Sequence, residues 1–222
     1  MALKIIVAGG FGVLGRAVCA TLAEERHSMA VIDMAAAPEG FGGIALEGID
    51  LADEAAVISA YATAAQAMGG IDAVVNVAGG FLWETVADGS IDNWDRMYRM
   101  NVRTAAISSR AALQHLPSGG AIVNVGAAAA ANVLTGMAPY AASKAGVMAL
   151  TEGLADELRP RGIRVNAVLP TILDTPANRK DMPDADTGNW VRPEAAAKVI
   201  AFLLSPQSAC ITGVGVKLSL AG

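Results

Sequence analysis

Short apolar runs rich in β-branched residues alternate with longer helical patterns along nearly the whole chain. This alternation constrains the fold more than any other feature. The runs are Leu3–Ala8, Met29–Asp33, Ile44–Gly48, Ala73–Asn76, Ala121–Val125, Arg164–Val168 and Val214–Leu218. Helical patterns lie between them near Val13–Glu25, Asp53–Ala67, Ile91–His115, Pro139–Arg159 and Pro193–Leu204. A strand covered on both faces reads as an unbroken apolar run, and these do. Such strands, joined by helices, pair in parallel, and right-handed crossovers put helices on both faces of the sheet. The expected class is α/β, one domain over residues 1–222 with a doubly wound sheet of about seven mostly parallel strands.

The chain of 222 residues is 54% hydrophobic, enough for a large core. Its net charge of −5 and lack of clustered Lys and Arg argue against nucleic acid and against a polybasic membrane patch. No apolar run approaches the roughly 18 residues of a spanning helix. The N-terminus enters a strand at once, without the basic and apolar regions of a signal peptide. The 2 cysteines, Cys19 and Cys210, read as a core position on the first helix and a small apolar residue before the last strand. Neither a disulfide nor a metal site is expected, and the cytoplasm is the default compartment. The segment Leu173–Trp190 is rich in Asp, Pro and Asn. It reads as a loop with a helical turn, and a loop this long in a compact domain commonly lines a substrate site; we place that site near residues 171–190.

The first strand runs into Gly9-Gly-Phe-Gly12-Val13-Leu14-Gly15. Glycines at this turn permit a tight bend and close approach to a pyrophosphate, which rests on the helix N-terminus. The second run ends in Asp33, 18 residues after Gly15. An acid about 20 residues on accepts the ribose hydroxyls of NAD and repels a 2′-phosphate. No Lys or Arg lies between Gly9 and Gly15, so NAD(H) is preferred over NADP(H). Asp33 as a strand-end turn residue is the plainer alternative. Asp50-Leu51 either contacts the adenine or supplies the cap of the helix before Glu54. Asn76-Val-Ala78-Gly79 ends the fourth run, where small residues let the chain pass close to a ribose.

Tyr140 and Lys144 lie four apart on a helix and share one face. A cation beneath a phenol favours the phenolate and lowers its pKa from about 10, making the Tyr a usable proton donor. Thirteen residues before Tyr140 stands Ala127, in the run Gly126-Ala-Ala-Ala-Ala-Ala131.

Taken together, Gly9–Gly15, Asp33, Asn76-Val-Ala78-Gly79, Asn101 in Met-Asn-Val, Tyr140-Ala-Ala-Ser-Lys144 and Arg164-Val-Asn-Ala-Val-Leu-Pro170 resemble the short-chain dehydrogenase/reductase family in order and spacing over nearly the entire chain. The resemblance implies a Rossmann-like strand order of 3-2-1-4-5-6-7 and NAD(P)-dependent oxidoreduction. It implies Tyr140 as acid/base, Lys144 as ribose ligand and Asn101 as the holder of a proton-relaying water. Cofactor contacts are expected from Gly9, Gly12, Val13, Leu14, Gly15, Asp33, Asp50, Leu51, Asn76, Ala78, Gly79, Tyr140, Lys144, Pro170, Ile172 and Thr175. A homodimer or homotetramer is also implied. Three positions depart from the family pattern. Ala8 replaces the usual Thr, Gly12 stands one place early with Val13 at the usual glycine, and Ala127 occupies the serine position. The glycine spacing, the absent serine and the stretch Leu169–Asp186 look most similar to the dihydropteridine reductase branch.

The absent serine has a physical meaning. Reducing a simple ketone builds charge on one oxygen, and losing one donor there costs about 2.7–4 kcal/mol. A quinonoid dihydropterin spreads that charge over a conjugated ring, so one donor suffices. Alternatively, Asn124, Thr135 or a water replaces the serine, and the protein is a carbonyl reductase or alcohol dehydrogenase. A non-catalytic NAD-binding sensor is the third reading. Phe81, Trp83 and Trp190 either stack on a flat substrate, at about 0.5–1.5 kcal/mol per aromatic pair, or make core and subunit contacts. Arg179 and Lys180 are solvated loop charges or contacts for a polar substrate edge.

Overall fold

In the computed structural model, residues 2–219 are described. Seven strands form one sheet: β1 (Lys4–Ala8), β2 (Ser28–Ile32), β3 (Ile44–Leu46), β4 (Ala73–Asn76), β5 (Ala121–Val125), β6 (Arg164–Pro170) and β7 (Gly215–Leu218). Their order is β3-β2-β1-β4-β5-β6-β7, and every pairing is parallel. The chain direction across the sheet reverses between β1 and β4. Parallel α/β sheets bind ligands in the crevice at the carboxyl ends of such strands.

The two faces carry two cores. β1 sends Ile5 and Val7 to one face, where they pack with Leu14, Val18 and Leu22 of α1 (Val13–Glu24) and Ile200 and Leu203 of α7 (Pro193–Leu204). It sends Ile6 and Ala8 to the other, against Val57 and Tyr61 of α2 (Glu54–Met68) and Ile107 of α4 (Thr104–Ala112). Both faces are apolar, so the strand has no alternation to show. Each fully buried Ile or Val contributes roughly 1.5–3 kcal/mol.

Eleven of the expected element boundaries move by a residue or two. The larger correction concerns the single helix expected over Ile91–His115. It is three pieces: α3 (Ile91–Met97), a π-helical stretch at Tyr98–Arg103, and α4. Apolar spacing does not distinguish i→i+4 from i→i+5 bonding, so the π turn left no trace in the periodicity. The segment after β6 contains a short helix, α6 (Pro176–Asp181), capped by Thr175 accepting from Asn178 N, and a 3₁₀ turn at Thr187–Asn189. Its ends are stitched by Asp174 N to Val191 O and Val191 N to Ile172 O. Cys210 is exposed rather than packed, whereas Cys19 is buried. No helix among the described residues is long and apolar enough to cross a membrane.

Two glycines make the β1–α1 turn possible. Gly9 has φ +83°, and a Cβ on Gly15 would lie 2.5 Å from the Gly9 carbonyl oxygen and the Gly10 Cα. Those neighbours are backbone and have nowhere to go. A Cβ on Gly12 would meet nothing nearer than 3.9 Å. Gly15→Ala is therefore expected to lower the urea unfolding free energy by about 1–3 kcal/mol, and Gly12→Ala to change it by under about 1 kcal/mol. Equal unfolding midpoints for the two variants would contradict this packing.

Candidate active site

Helix α5 (Ala138–Glu157) brings Tyr140, Ser143 and Lys144 to the carboxyl ends of β4 and β5. Lys144 is 5% exposed, and its Nζ donates to the Val125 carbonyl at 2.9 Å. The same Nζ lies 5.9 Å from the Tyr140 ring centroid. Asn101 sits in the π-helical stretch, also buried. Its Oδ1 accepts from Gly80 N at 2.9 Å, and its Nδ2 donates to Ser143 Oγ at 2.9 Å and Gly80 O at 3.1 Å. Ser143 Oγ in turn donates to the Tyr140 carbonyl at 2.7 Å. The extra residue of a π turn re-aims the side chains around it, which is how Asn101 reaches both α5 and the chain after β4.

Gly79 is the keystone between these groups. A Cβ there would come within 2.5 Å of Asn101 Oδ1 and 3.2 Å of Lys144 Nζ. Ser143 and the π stretch escaped the sequence reading. Ser143 lay within Tyr140-Ala-Ala-Ser-Lys144, and its place three residues after Tyr140, on the same helix face, was the available signal.

Electrostatically, the sequence expectation is reversed. Burial pushes the Tyr140 phenol up to about 12. Burial also pulls the Lys144 ammonium down to about 8. Desolvation opposes both charged forms at once, and it outweighs the help the ammonium gives the phenolate. The pair is therefore a neutral, proton-bearing phenol beside an amine that loses its charge just above neutrality.

At the nucleotide end, Asp33 follows β2 and accepts from Phe11 N and Ala35 N, each at 2.9 Å. It thus fastens the glycine turn to β2. Gly12 caps α1 with no side chain of its own, leaving first-turn N–H groups available to an anion. Glycine turn, bare helix end and Asp33 together fit a dinucleotide. Val13 and Leu14 open α1, Leu14 being buried.

Other expected positions divide. Asp50 is not the cap of α2; Asp53 is, accepting from Ala55 N and Ala56 N. Asp50 instead accepts from Ala52 N at 2.8 Å and from Arg99 at 2.7 Å. The Ala52 N–H first, and then Arg99, hold its carboxyl below the usual range. Leu51 is buried. Asn76 spends its side chain inside the protein, donating to Asn124 Oδ1 at 2.8 Å and Ser109 Oγ at 3.1 Å and accepting from Ser108 Oγ. Only its backbone remains to meet a nucleotide. Ala78 N bonds the Ala8 carbonyl, Pro170 is buried at the end of β6, Ile172 is 37% exposed, and Thr175 caps α6.

Three further candidates are engaged elsewhere. Trp190 is 4% exposed and belongs to the interior. Arg179 makes a two-pronged pair with Asp174 at 2.6 and 2.8 Å. Asn124 is fully buried, donating to Thr151 Oγ1 and accepting from Asn76, so it cannot replace the serine donor. Ala127 is 4% exposed. Phe81 lies edge-on to Tyr140, with ring centroids 4.9 Å apart at 83°. No cluster of three or more His, Cys, Asp or Glu that could hold a metal occurs among the described residues.

The buried amine gives a stability prediction with a definite sign. The ordinary value for Lys144, 10.5, holds in the unfolded chain, and burial in the folded protein lowers it to about 8. Between those values the unfolded state binds more protons, so stability rises with pH across that window. Below it, the buried charge costs up to about 3 kcal/mol. Lys144→Met is expected to stabilise the protein in urea unfolding at pH 7, with the gain disappearing by about pH 10.5. Destabilisation at pH 7 would refute it.

A family model described as enoyl-(acyl carrier protein) reductase matches residues 7–218. The 2-(S)-hydroxypropyl-CoM dehydrogenase 3 of Xanthobacter autotrophicus is 30% identical, over 94% of this chain and 92% of its own. The 4-formylbenzenesulfonate dehydrogenase of Comamonas testosteroni is 32% identical, over 94% of this chain and 93% of its own. A solved short-chain dehydrogenase from Burkholderia cenocepacia, in complex with NADP, is 31% identical with a TM-score of 0.85, covering 97% of this chain and 96% of that one. The chain belongs to the short-chain dehydrogenase/reductase family of oxidoreductases.

Proposed function

We propose that this protein is an NADH-dependent reductase that delivers hydride to a flat, conjugated acceptor such as a quinonoid dihydropterin, with Tyr140 as proton donor. The observation that carries the reading is the single donor. Ala127 presents a methyl group at the serine position, and Asn124 has both ends of its amide committed to the interior. Thr135, the other proposed substitute, is exposed, and its carbonyl accepts from Trp83 Nε1. An isolated carbonyl oxygen would miss the second donor, whereas a delocalised ring would not.

When bound, NADH supplies the hydride. The remaining chemistry falls to the chain. Tyr140, held protonated by burial, keeps its proton until the acceptor becomes basic enough to take it. Lys144 holds the nicotinamide ribose and, while charged, favours the phenolate that the transfer leaves behind. Asn101, whose side-chain amide is taken up by Gly80 and Ser143, would hold a water for reprotonation of the phenol through its backbone. Asp33 accepts the ribose hydroxyls and repels a 2′-phosphate, with no Lys or Arg in the glycine turn to offset that repulsion. Phe81, 51% exposed beside Tyr140, offers an apolar edge to a planar substrate.

A second reading has its own support. The Xanthobacter and Comamonas relatives are named dehydrogenases of an alcohol and of an aldehyde. On that reading the substrate is a carbonyl compound or alcohol, and a water stands in for the serine.

Two measurements decide between them, and a third tests the cofactor preference. Purified protein is expected to oxidise NADH with chemically generated quinonoid dihydropterin, and Tyr140→Phe to lose about 100-fold or more of that rate. No turnover above the Tyr140→Phe control sinks the pterin reading. Ala127→Ser is expected to leave pterin turnover nearly unchanged and to raise any ketone turnover by about tenfold or more; the opposite pattern favours the carbonyl reading. Asp33→Ala is expected to weaken NADH binding at least tenfold and to narrow the gap to NADPH, as read by cofactor fluorescence titration.

A further inference from the structure

Trp83 is used by none of the chemistry above, yet it is fastened from two directions while 59% exposed. Its Nε1 donates to the Thr135 carbonyl at 3.1 Å. Its ring lies against Gly136 so closely that a Cβ there would come within 2.2 Å of the indole Cε2. Gly136 has φ +76°, a conformation that itself favours glycine. The next residue, Glu84, donates its backbone N–H to the Gly136 carbonyl at 2.9 Å. The Glu84 carboxylate then accepts from Asn93 Nδ2 at 2.8 Å and Ser90 N at 3.4 Å, tying the same segment to the start of α3. Two loops are thereby joined: the one after β4 and the one leading into α5. Two residues before Trp83, Phe81 meets the ring of Tyr140. Four residues after Gly136 comes Tyr140 itself.

We propose that Trp83 is a positioning residue for the phenol: wedged onto Gly136 and bonded to Thr135, it locks residues 81–84 to the turn before α5 and so keeps Phe81 on the Tyr140 ring. The proposal rests on Tyr140 being the proton donor, but not on the identity of the substrate. Exposed loops held by a few contacts open locally at low cost. Without the wedge, Phe81 is free to leave the phenol, and water replaces its edge. The phenol's titration then reports the wedge directly, because burial is what raises it to about 12.

The test is a stopped-flow pH-jump measurement of phenolate absorbance, which precedes alkaline unfolding. The difference between each protein and its Tyr140→Phe counterpart isolates Tyr140 from Tyr61 and Tyr98. Trp83→Ala is expected to move the Tyr140 titration toward the ordinary value of about 10, up to a roughly hundredfold rise in phenolate at a fixed alkaline pH. Trp83→Phe, which keeps a ring on Gly136 but loses the N–H, is expected to fall between. Gly136→Ala, which drives a methyl into the indole, is expected to act like Trp83→Ala and not to add to it in the double variant. In turnover with NADH and quinonoid dihydropterin, kcat is expected to fall about tenfold or more at unchanged NADH affinity. A wild-type titration in Trp83→Ala or, should that variant not fold, in Trp83→Phe and Gly136→Ala, overturns the proposal, even with a lowered melting point. The titration needs no turnover, so failure of the pterin reading leaves this outcome readable.

Discussion

A row of buried amides and hydroxyls at the carboxyl ends of β4 and β5 holds the parts of this molecule together. Asn76 and Asn124 are partners in register across the two strands and are bonded through their side chains at 2.8 Å. From Asn76 the row continues to Ser109 and Ser108 of α4 and on to Tyr61 of α2. From Asn124 it continues to Thr151 of α5, whose hydroxyl donates to the Val147 carbonyl. Each member left unpaired here would cost about 1–3 kcal/mol, so the row tolerates only one arrangement. It fixes three helices against two central strands on the face that carries Tyr140 and Lys144. A one-residue slip between β4 and β5 would break it and turn one of the two asparagines into the apolar core of the other face.

Placed on that frame, the candidate catalytic groups Tyr140 and Lys144 are governed by desolvation more than by each other. Lys144 is too deeply buried to be a comfortable cation, and Tyr140 is too covered to be a comfortable anion. For the reductase proposed above this is the useful combination. The phenol is the group that must give up a proton, and a phenol that ionised freely near neutrality would have none to give. The ammonium's benefit is felt when the phenolate forms, which is when the reaction needs it. The structural cost of keeping a charged Lys144 in the interior falls on the folding equilibrium, an example of a functional site held against stability.

How far the sequence showed this depends on the kind of feature. The sheet was legible because parallel strands buried on both faces leave unbroken apolar runs, and Ala73–Asn76 and Ala121–Val125 coincide with their strands. Helix α7 was legible from the helical spacing of Ala196, Ala197, Ile200, Ala201 and Leu204, with Pro193 at its first turn. The π-helical stretch was not, since the change to i→i+5 bonding at Tyr98–Arg103 leaves no mark on the kinds of residue that compose it. Asp50 and Asp53 are chemically equivalent as caps, and only backbone geometry chooses Asp53. Asn76 looked outward because strand ends usually do; the hydroxyls that draw it inward lie 32 and 33 residues away. The Tyr140 and Lys144 pair was visible as a shared helix face, but its electrostatics depend on burial, which i,i+4 spacing does not encode.

The exchange of serine for Ala127 and the wedge of Trp83 bear on the same question from opposite sides. On the proposed reading, with one donor at the site, transition-state stabilisation would rest on how well a single phenol is placed, since no second hydrogen bond would compensate for a displaced one. A site with two donors tolerates some looseness in either. A site with one gains more from rigid support around it, and here that support is apolar: the Phe81 edge on the Tyr140 ring, and the indole of Trp83 on Gly136. Apolar support has a further consequence. It covers part of the phenol without offering a competing hydrogen bond, so on the proposed reading the site favours an acceptor that fits against the ring. A planar conjugated substrate satisfies that condition through its face, whereas a small ketone would leave the gap to be filled by solvent. The loss of a hydroxyl and the presence of an aromatic brace are then two parts of one arrangement, in which shape selects what a second donor selects elsewhere.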